Sequence, residues 1–211
     1  YYVVGIDGDV EIALAASEND ARKAQRQLFD PADIEISNNS IVFYEPHPFE
    51  TGDVVTYDNR DFGDGDHTSV GGLVSGQQYS VIAIDENTLQ LAPTSGGGAL
   101  TLVPGVATGY WHQLQGNTRI PLNGLTATGT AHRLDHIQRI DLDPSAAVGA
   151  AHRIRLDVDP RLANTDTHAF GHVIAPGSAV NASTDTINLG YNHGWSTGQA
   201  VLYSNGGGGS V

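Results

Sequence analysis

Short runs of alternating apolar and polar residues, separated by Gly, Asn, Asp and Pro, run along most of this chain. A side-chain period of two predicts half-buried β-strands, and the separators predict turns. On that basis Tyr1–Ile6 and Val10–Leu14 read as strands joined at Asp7-Gly8-Asp9. Further strands are expected at Ile34–Ile36, Ile41–Tyr44, Asp53–Tyr57, Tyr79–Asp85 and Thr88–Ala92, with hairpins at Asn38-Asn39 and Glu86-Asn87. In His152–Asp159 the alternation turns Ile154, Leu156 and Val158 to one face and Arg153, Arg155 and Asp157 to the other. One stretch departs from this period. Ser17 to Arg26 opens on a capping residue, carries acids first and bases last, and predicts a short surface helix with almost no apolar face.

The strand pattern recurs. Ser37–Tyr57 and Ser183–Tyr203 align without a gap at an offset of 146, and seven of their 21 positions are identical. The shared residues include His47/His193, Thr51/Thr197, Gly52/Gly198 and Tyr57/Tyr203, with Phe49 against Trp195 keeping an aromatic in place. Tyr1 to Ala15 match Tyr79 to Ala92 with one inserted residue, so the chain opens on the back half of a unit and closes on the front half of one. Internal repetition of this kind precedes every other inference. Either the chain is one period of a longer array, or its two ends meet to complete a unit.

The expected division is therefore 1–33, the back half of a β-module with the short helix; 34–95, a complete module; 96–182, an antiparallel meander; and 183–211, a front half completed by 1–16 of the same or a neighbouring chain. The meander holds its own smaller pattern, in which His132, His152 and His168 each lead to a Pro: Pro144, Pro160 and Pro176. Tyr110, Trp111 and Leu114 are its expected core anchors. The fold class is all-β, with small five-stranded barrels or sandwiches plus the meander. A unit this small gains stability from packing against its neighbours.

Composition narrows the partners. With 24 acidic against 10 basic residues the net charge is −14, and no Lys/Arg cluster is available to neutralise phosphates. Nucleic acid is excluded on that ground. There is no Cys for a disulfide or a thiolate metal site. No apolar run approaches the ~18 residues of a membrane-spanning helix. A chain without Met is expected to be a piece of a longer product.

His-x-aromatic-x-Thr-Gly-x-x-Val-x-Tyr is followed by Gly71-Gly-Leu-x-x-Gly-x-x-Tyr-x-Val-Ile82 and Asn87-Thr-Leu-Gln-Leu-Ala92. This spelling resembles a module found in tandem in giant secreted bacterial surface proteins, many of them RTX-type adhesins, and a similar motif occurs in phage tail proteins. The likeness covers 34–94 fully and 1–16 with 183–211 in halves. It implies an extracellular stalk or adhesion architecture, with copies of the chain or adjacent repeats as head-to-tail partners, and it brings no catalytic residues. The glycine-rich nonapeptide that binds calcium in RTX arrays is absent.

Candidate chemistry is sparse. Asp58, Asp61, Asp64 and Asp66 lie on one Gly-containing loop, where hard oxygen ligands would suit Ca²⁺, although the spacing is not that of an EF-hand. Asp7 and Asp9 form a weaker second set. A solvated turn between two strands is the plainer reading of both acid runs. Trp195 and Tyr191 are candidates for stacking on a sugar, against the alternative that Trp195 is a core plug like Phe49. The recurring His residues suit structural bonds to turn carbonyls as well as metal ligation. No nucleophile–base or paired-carboxylate arrangement stands out, so the expectation is a structural protein rather than an enzyme, with glycan binding or a phage tail role as alternatives.

Overall fold

The computed structural model describes residues 1–6, 10–61, 65–128, 132–136 and 172–205. The fold is all-β, with three antiparallel sheets and two short helices among the described residues. The largest sheet has seven strands: β3 (Arg26–Phe29), β4 (Ile34–Glu35), β5 (Ser40–Val42), β6 (Val54–Asp58), β7 (Gln78–Ala83), β8 (Thr88–Pro93) and β9 (His112–Gly116). Their spatial order is β3-β9-β6-β7-β8-β5-β4. Inward residues at every second position, Val55 and Tyr57, Tyr79 and Val81, Leu89 and Leu91, close over one core with Phe29, Phe43, Phe49 and Leu114. The outward residues of β7, Ser80 and Ile82, stay partly exposed, as the two-residue period requires.

The other two sheets are β1 (Tyr2–Gly5), β2 (Glu11–Ala15), β13 (Thr186–Asn188) and β12 (Val180–Asn181), in the order β1-β2-β13-β12, and β11 (His172–Ile174), β10 (His132–His136) and β14 (Val201–Ser204), in the order β11-β10-β14. They meet at a bridge between Tyr2 and Ala200. Read through that bridge, the order is β11-β10-β14-β1-β2-β13-β12, which repeats that of the seven-stranded sheet element for element. The registers repeat as well. Val81↔Leu91 and Ile41↔Leu89 in one unit correspond to Val3↔Leu14 and Ile187↔Ile12 in the other. A second core, with Val3, Ile12, Leu14, Leu122, Leu134, Ile187 and Val201, fills this unit.

The helix α1 (Glu18–Lys23) starts where Ser17 Oγ accepts from the Asp20 amide at 3.0 Å, as its capping sequence predicts. It is not confined to the surface. Ala21 and Ala24 pack on Val4, Ala13 and Ala15, and Lys23 is buried. This second covering explains why Ile12-Ala-Leu-Ala15 is apolar at consecutive positions, whereas Leu89-Gln-Leu-Ala alternates: β2 is covered on both faces. A second helix, α2 (Pro176–Ala179), was not expected; Pro176 stands at its first turn, where no amide donor is needed.

Of the strands described within the expected meander at 96–182, β9 joins the first unit, whereas β10 and β11 pair antiparallel with each other in the second. β9 lies between β3 and β6 of the first unit, and β10 lies between β11 and β14 of the second. Tyr110 and Trp111 are not core anchors; they are 73% and 54% exposed, Trp111 on a left-handed backbone (φ 62°), while Leu114 alone of the three is buried. The expected strand at 152–159 and the prolines Pro144 and Pro160 lie outside the described residues. Among the described residues no helix is long and apolar enough to cross a membrane.

Candidate functional site

The His, aromatic and Thr-Gly residues that recur in the sequence form one corner in each unit. In the first, the His47 backbone amide donates to the Glu86 carbonyl at 2.8 Å, and His47 Nδ1 accepts from the Phe49 amide at 3.3 Å. The ring proton therefore sits on Nε2, which is buried without a hydrogen-bond partner, and Phe43 meets this ring edge to face at 5.5 Å. In the second, His193 Nδ1 accepts from the Trp195 amide at 2.9 Å. Thr51 Oγ1 accepts from the Ala83 amide at 3.0 Å, and Thr197 Oγ1 accepts from the Gly5 amide at 2.9 Å. Gly52 and Gly198 follow with φ of 100° and 85°, a conformation that disfavours a Cβ.

The second corner closes a seam between the two ends of the numbered chain. The Val3 amide donates to the Gln199 carbonyl at 2.8 Å, the Gly198 amide to the Val3 carbonyl at 2.8 Å, and the Val201 amide to the Tyr1 carbonyl at 2.9 Å. Within the first unit, Val81 and Asp53, then Gly52 and Val81, make the first two of these bonds at 2.8 and 2.9 Å.

Behind each corner lies a buried relay. The Thr108 carbonyl can only accept, so His112 Nε2 donates to it at 3.1 Å, leaving Nδ1 to accept from the Tyr57 hydroxyl at 2.8 Å. The Tyr57 oxygen in turn accepts from the Val70 amide at 3.0 Å. Burial, partly opposed by the Thr108 bond, holds the His112 ring below the usual imidazole value, and burial pushes the Tyr57 phenol up. Tyr203, His132 and the Thr128 carbonyl repeat the arrangement in the second unit. Of the recurring His132, His152 and His168, the described His132 bridges a strand tyrosine to a loop carbonyl. His152 and His168 lie outside the described residues.

The described acids of the acidic loop take hydrogen bonds from neighbouring groups. Asp58 accepts from the Arg60 amide at 2.7 Å, the Ser75 hydroxyl at 3.1 Å and the Gln113 amide at 3.2 Å. Asp61 accepts from the Gly65 amide at 3.1 Å. Among the described residues no three His, Asp or Glu side chains gather where they could hold a metal ion. Asp64, with Asp7 and Asp9, lies outside them.

Tyr191 and Trp195 come together around His172: the His172 ring bonds the Tyr191 hydroxyl and meets the Trp195 ring edge to face at 4.4 Å. Tyr191 is 48% exposed, and Trp195 is only partly buried, whereas Phe49 at the corresponding position is in the core. Burial, and then the charge of His193, hold His172 below its usual value. Sequence reading missed a third feature, a cavity at the junction of the two units whose wall includes Arg26, Arg60 and Arg119. These residues are far apart in sequence and no shared spelling marks them.

No family model matches the chain, and neither a curated protein nor a solved structure matches it.

Proposed function

We propose that this chain is a structural element of a large extracellular bacterial surface protein of adhesin type, a stalk or fibre segment built by head-to-tail completion of β-units. The observation that carries this reading is the seam. Tyr1–Gly5 and Gln199–Ser204 belong to opposite ends of the chain, yet their backbone bonds match those made within one continuous unit. Strands this far apart in sequence can be paired equally well by the corresponding segment of a neighbouring copy. That contact is head-to-tail and propagates. The role is mechanical rather than catalytic, and the net charge of −14 favours solubility of the growing assembly.

The chain has no Cys, so an engineered pair reports on this seam alone. Tyr2 and Ala200 face each other between hydrogen-bonded neighbours, the closer of the two antiparallel pairings. The double variant Tyr2→Cys/Ala200→Cys is expected to give a disulfide-closed monomer when oxidised dilute. Oxidised at high concentration, it is expected to give a ladder of disulfide-linked oligomers on a non-reducing gel. Closed monomer alone at every concentration would overturn the assembly reading.

A further inference from the structure

Asn181-Ala182-Ser183 is an Asn-x-Ser sequence whose middle residue is not Pro, the spelling of an asparagine that accepts a sugar. It runs from the last residue of β12 into the turn before β13, and all three residues are exposed. Asn181 Oδ1 accepts twice from Ser183, from its amide at 3.0 Å and from its hydroxyl at 2.6 Å. Both bonds fall on the oxygen, so Asn181 Nδ2 makes no hydrogen bond among the described residues. A second such sequence, Asn38-Asn39-Ser40, lies in the corresponding hairpin of the first unit, between β4 and β5. Asn38 Oδ1 accepts from the Ser40 amide at 3.2 Å and from its hydroxyl at 2.7 Å. There the likeness ends. Ser40 is fully buried in its ladder with Glu35, and Asn38 Nδ2 donates to the Glu35 carboxylate at 3.4 Å.

We propose that Asn181 is the acceptor of an N-linked sugar in the folded chain, and that Asn38 is not. In the transfer, Asn181 Nδ2 bonds to C1 of a sugar activated as its nucleoside diphosphate. The C1–O bond to the phosphate breaks, the nucleoside diphosphate leaves with the electron pair, and a base of the transferase takes the amide proton. An amide nitrogen is a weak nucleophile because its lone pair is shared with the carbonyl. Two donors on Oδ1 draw electrons from the group and acidify its N–H, so the proton is lost more easily as the new bond forms. The hydroxyl that defines the sequence is open to an enzyme at Ser183 and enclosed at Ser40. The position has a consequence for assembly. β12 is the outer strand of its sheet, and an edge carries unpaired backbone groups on its free side. A hydrated sugar at the end of β12 hinders edge-to-edge pairing and leaves the seam between β14 and β1 untouched.

The test is incubation of the folded full chain with a purified soluble asparagine glucosyltransferase and UDP-glucose, with a peptide acceptor confirming that the enzyme is active. Intact mass and peptide mapping are expected to show a single hexose, on Asn181, with Asn38 unmodified. Asn181→Gln and Ser183→Ala should each abolish the addition, and Ser183→Thr should retain it. Both altered residues are exposed, so their replacement leaves folding intact. Absence of hexose on Asn181, equal modification of Asn38, or an undiminished addition in Ser183→Ala would each overturn the proposal. None of these outcomes bears on the seam, which the cysteine pair reports separately.

Discussion

Tyr2 and Ala200 are antiparallel bridge partners, and they stand where Ser80 and Val54 pair in the other unit. The correspondence reaches the glycine that turns the corner. Gly52 and Gly198 both sit at positive φ, but a Cβ on Gly52 meets no atom within 4 Å, while one on Gly198 lies 3.1 Å from Glu18 Cγ. Gly52→Ala therefore bears the conformational cost alone, about 1–2 kcal/mol. Gly198→Ala bears the same cost plus a shift of a flexible side chain, and should fall only slightly lower. Thermal melts of the two variants are expected to drop by similar amounts, a few degrees each for a chain of this size. A large loss at one position and none at the other would show that the corners are not equivalent.

The buried relay predicts a tyrosine effect. Tyr57→Phe leaves the Val70 amide and His112 Nδ1 without the oxygen that joins them. Each orphaned buried group costs about 1–3 kcal/mol, and a water in the vacated space would reduce this. The expected loss is therefore about 2–4 kcal/mol by urea denaturation, with little change in the slope that reports exposed surface. A loss below about 0.5 kcal/mol would remove the relay from the account of stability.

His112 of this relay, with His172 beside Tyr191, sets a pH dependence. His112 and His172 both have ring pKa values lowered by burial below the usual 6.5. The unfolded chain then binds more protons than the folded one just below that value, so stability falls as the pH drops. The full contribution is present above about pH 6.5. It declines on acidification and levels off once the folded-state values are passed. Protonated His112 also loses the lone pair that accepts from Tyr57, which gives the decline a local signature. Melting temperature should fall between pH 7.5 and 5, and His112→Asn should flatten that fall while lowering stability at pH 7.5. An unaltered pH profile in His112→Asn would assign the acid sensitivity elsewhere.

Much of the strand framework was legible because alternation survives wherever one sheet face meets solvent. Thr88–Ala92, the Glu86-Asn87 hairpin and the paired Tyr57 and Tyr203 are of this kind. Legibility failed where burial came from unexpected directions. Arg26-Gln-Leu-Phe29 forms β3 although only Phe29 is buried, because an edge strand is held by its ladder with β9 rather than by an apolar face. Ala21 and Ala24 were too small to mark α1 as a packing element, yet small side chains are what allow it to lie close on β1 and β2. Tyr110 and Trp111 suggested a core by size alone, and the left-handed turn at Trp111 carries both outward. The corner and relay residues could be read as recurring letters. The arginine cavity could not, since only the nesting of one unit between β2 and β10 of the other brings Arg26, Arg60 and Arg119 together.

Lys23 is the buried charge that ties α1 to the first corner. Its Nζ lies 2.8 Å from Asp53 and 3.3 Å from Glu50, with the lysine side chain 7% exposed, Asp53 25% and Glu50 75%. Burial alone would lower the lysine pKa, but the bonds and charges of Asp53, followed by those of Glu50, outweigh it and raise the value. A raised lysine value stabilises the fold fully below the unfolded value near 10.5, and that contribution is lost as pH rises through the folded value. Asp53→Asn should therefore cost more than Glu50→Gln, because solvent screens the exposed glutamate: about 1–3 kcal/mol against less than about 1. Lys23→Met keeps the aliphatic stem against its neighbours and leaves two carboxylates that water can still reach, so its loss should stay below that of Lys23→Ala. Urea denaturation of the four variants at pH 7.5 and 11 checks the ranking. The difference between wild type and Lys23→Met should shrink at the higher pH, and a difference that held constant would mean that the ammonium charge contributes nothing at this contact.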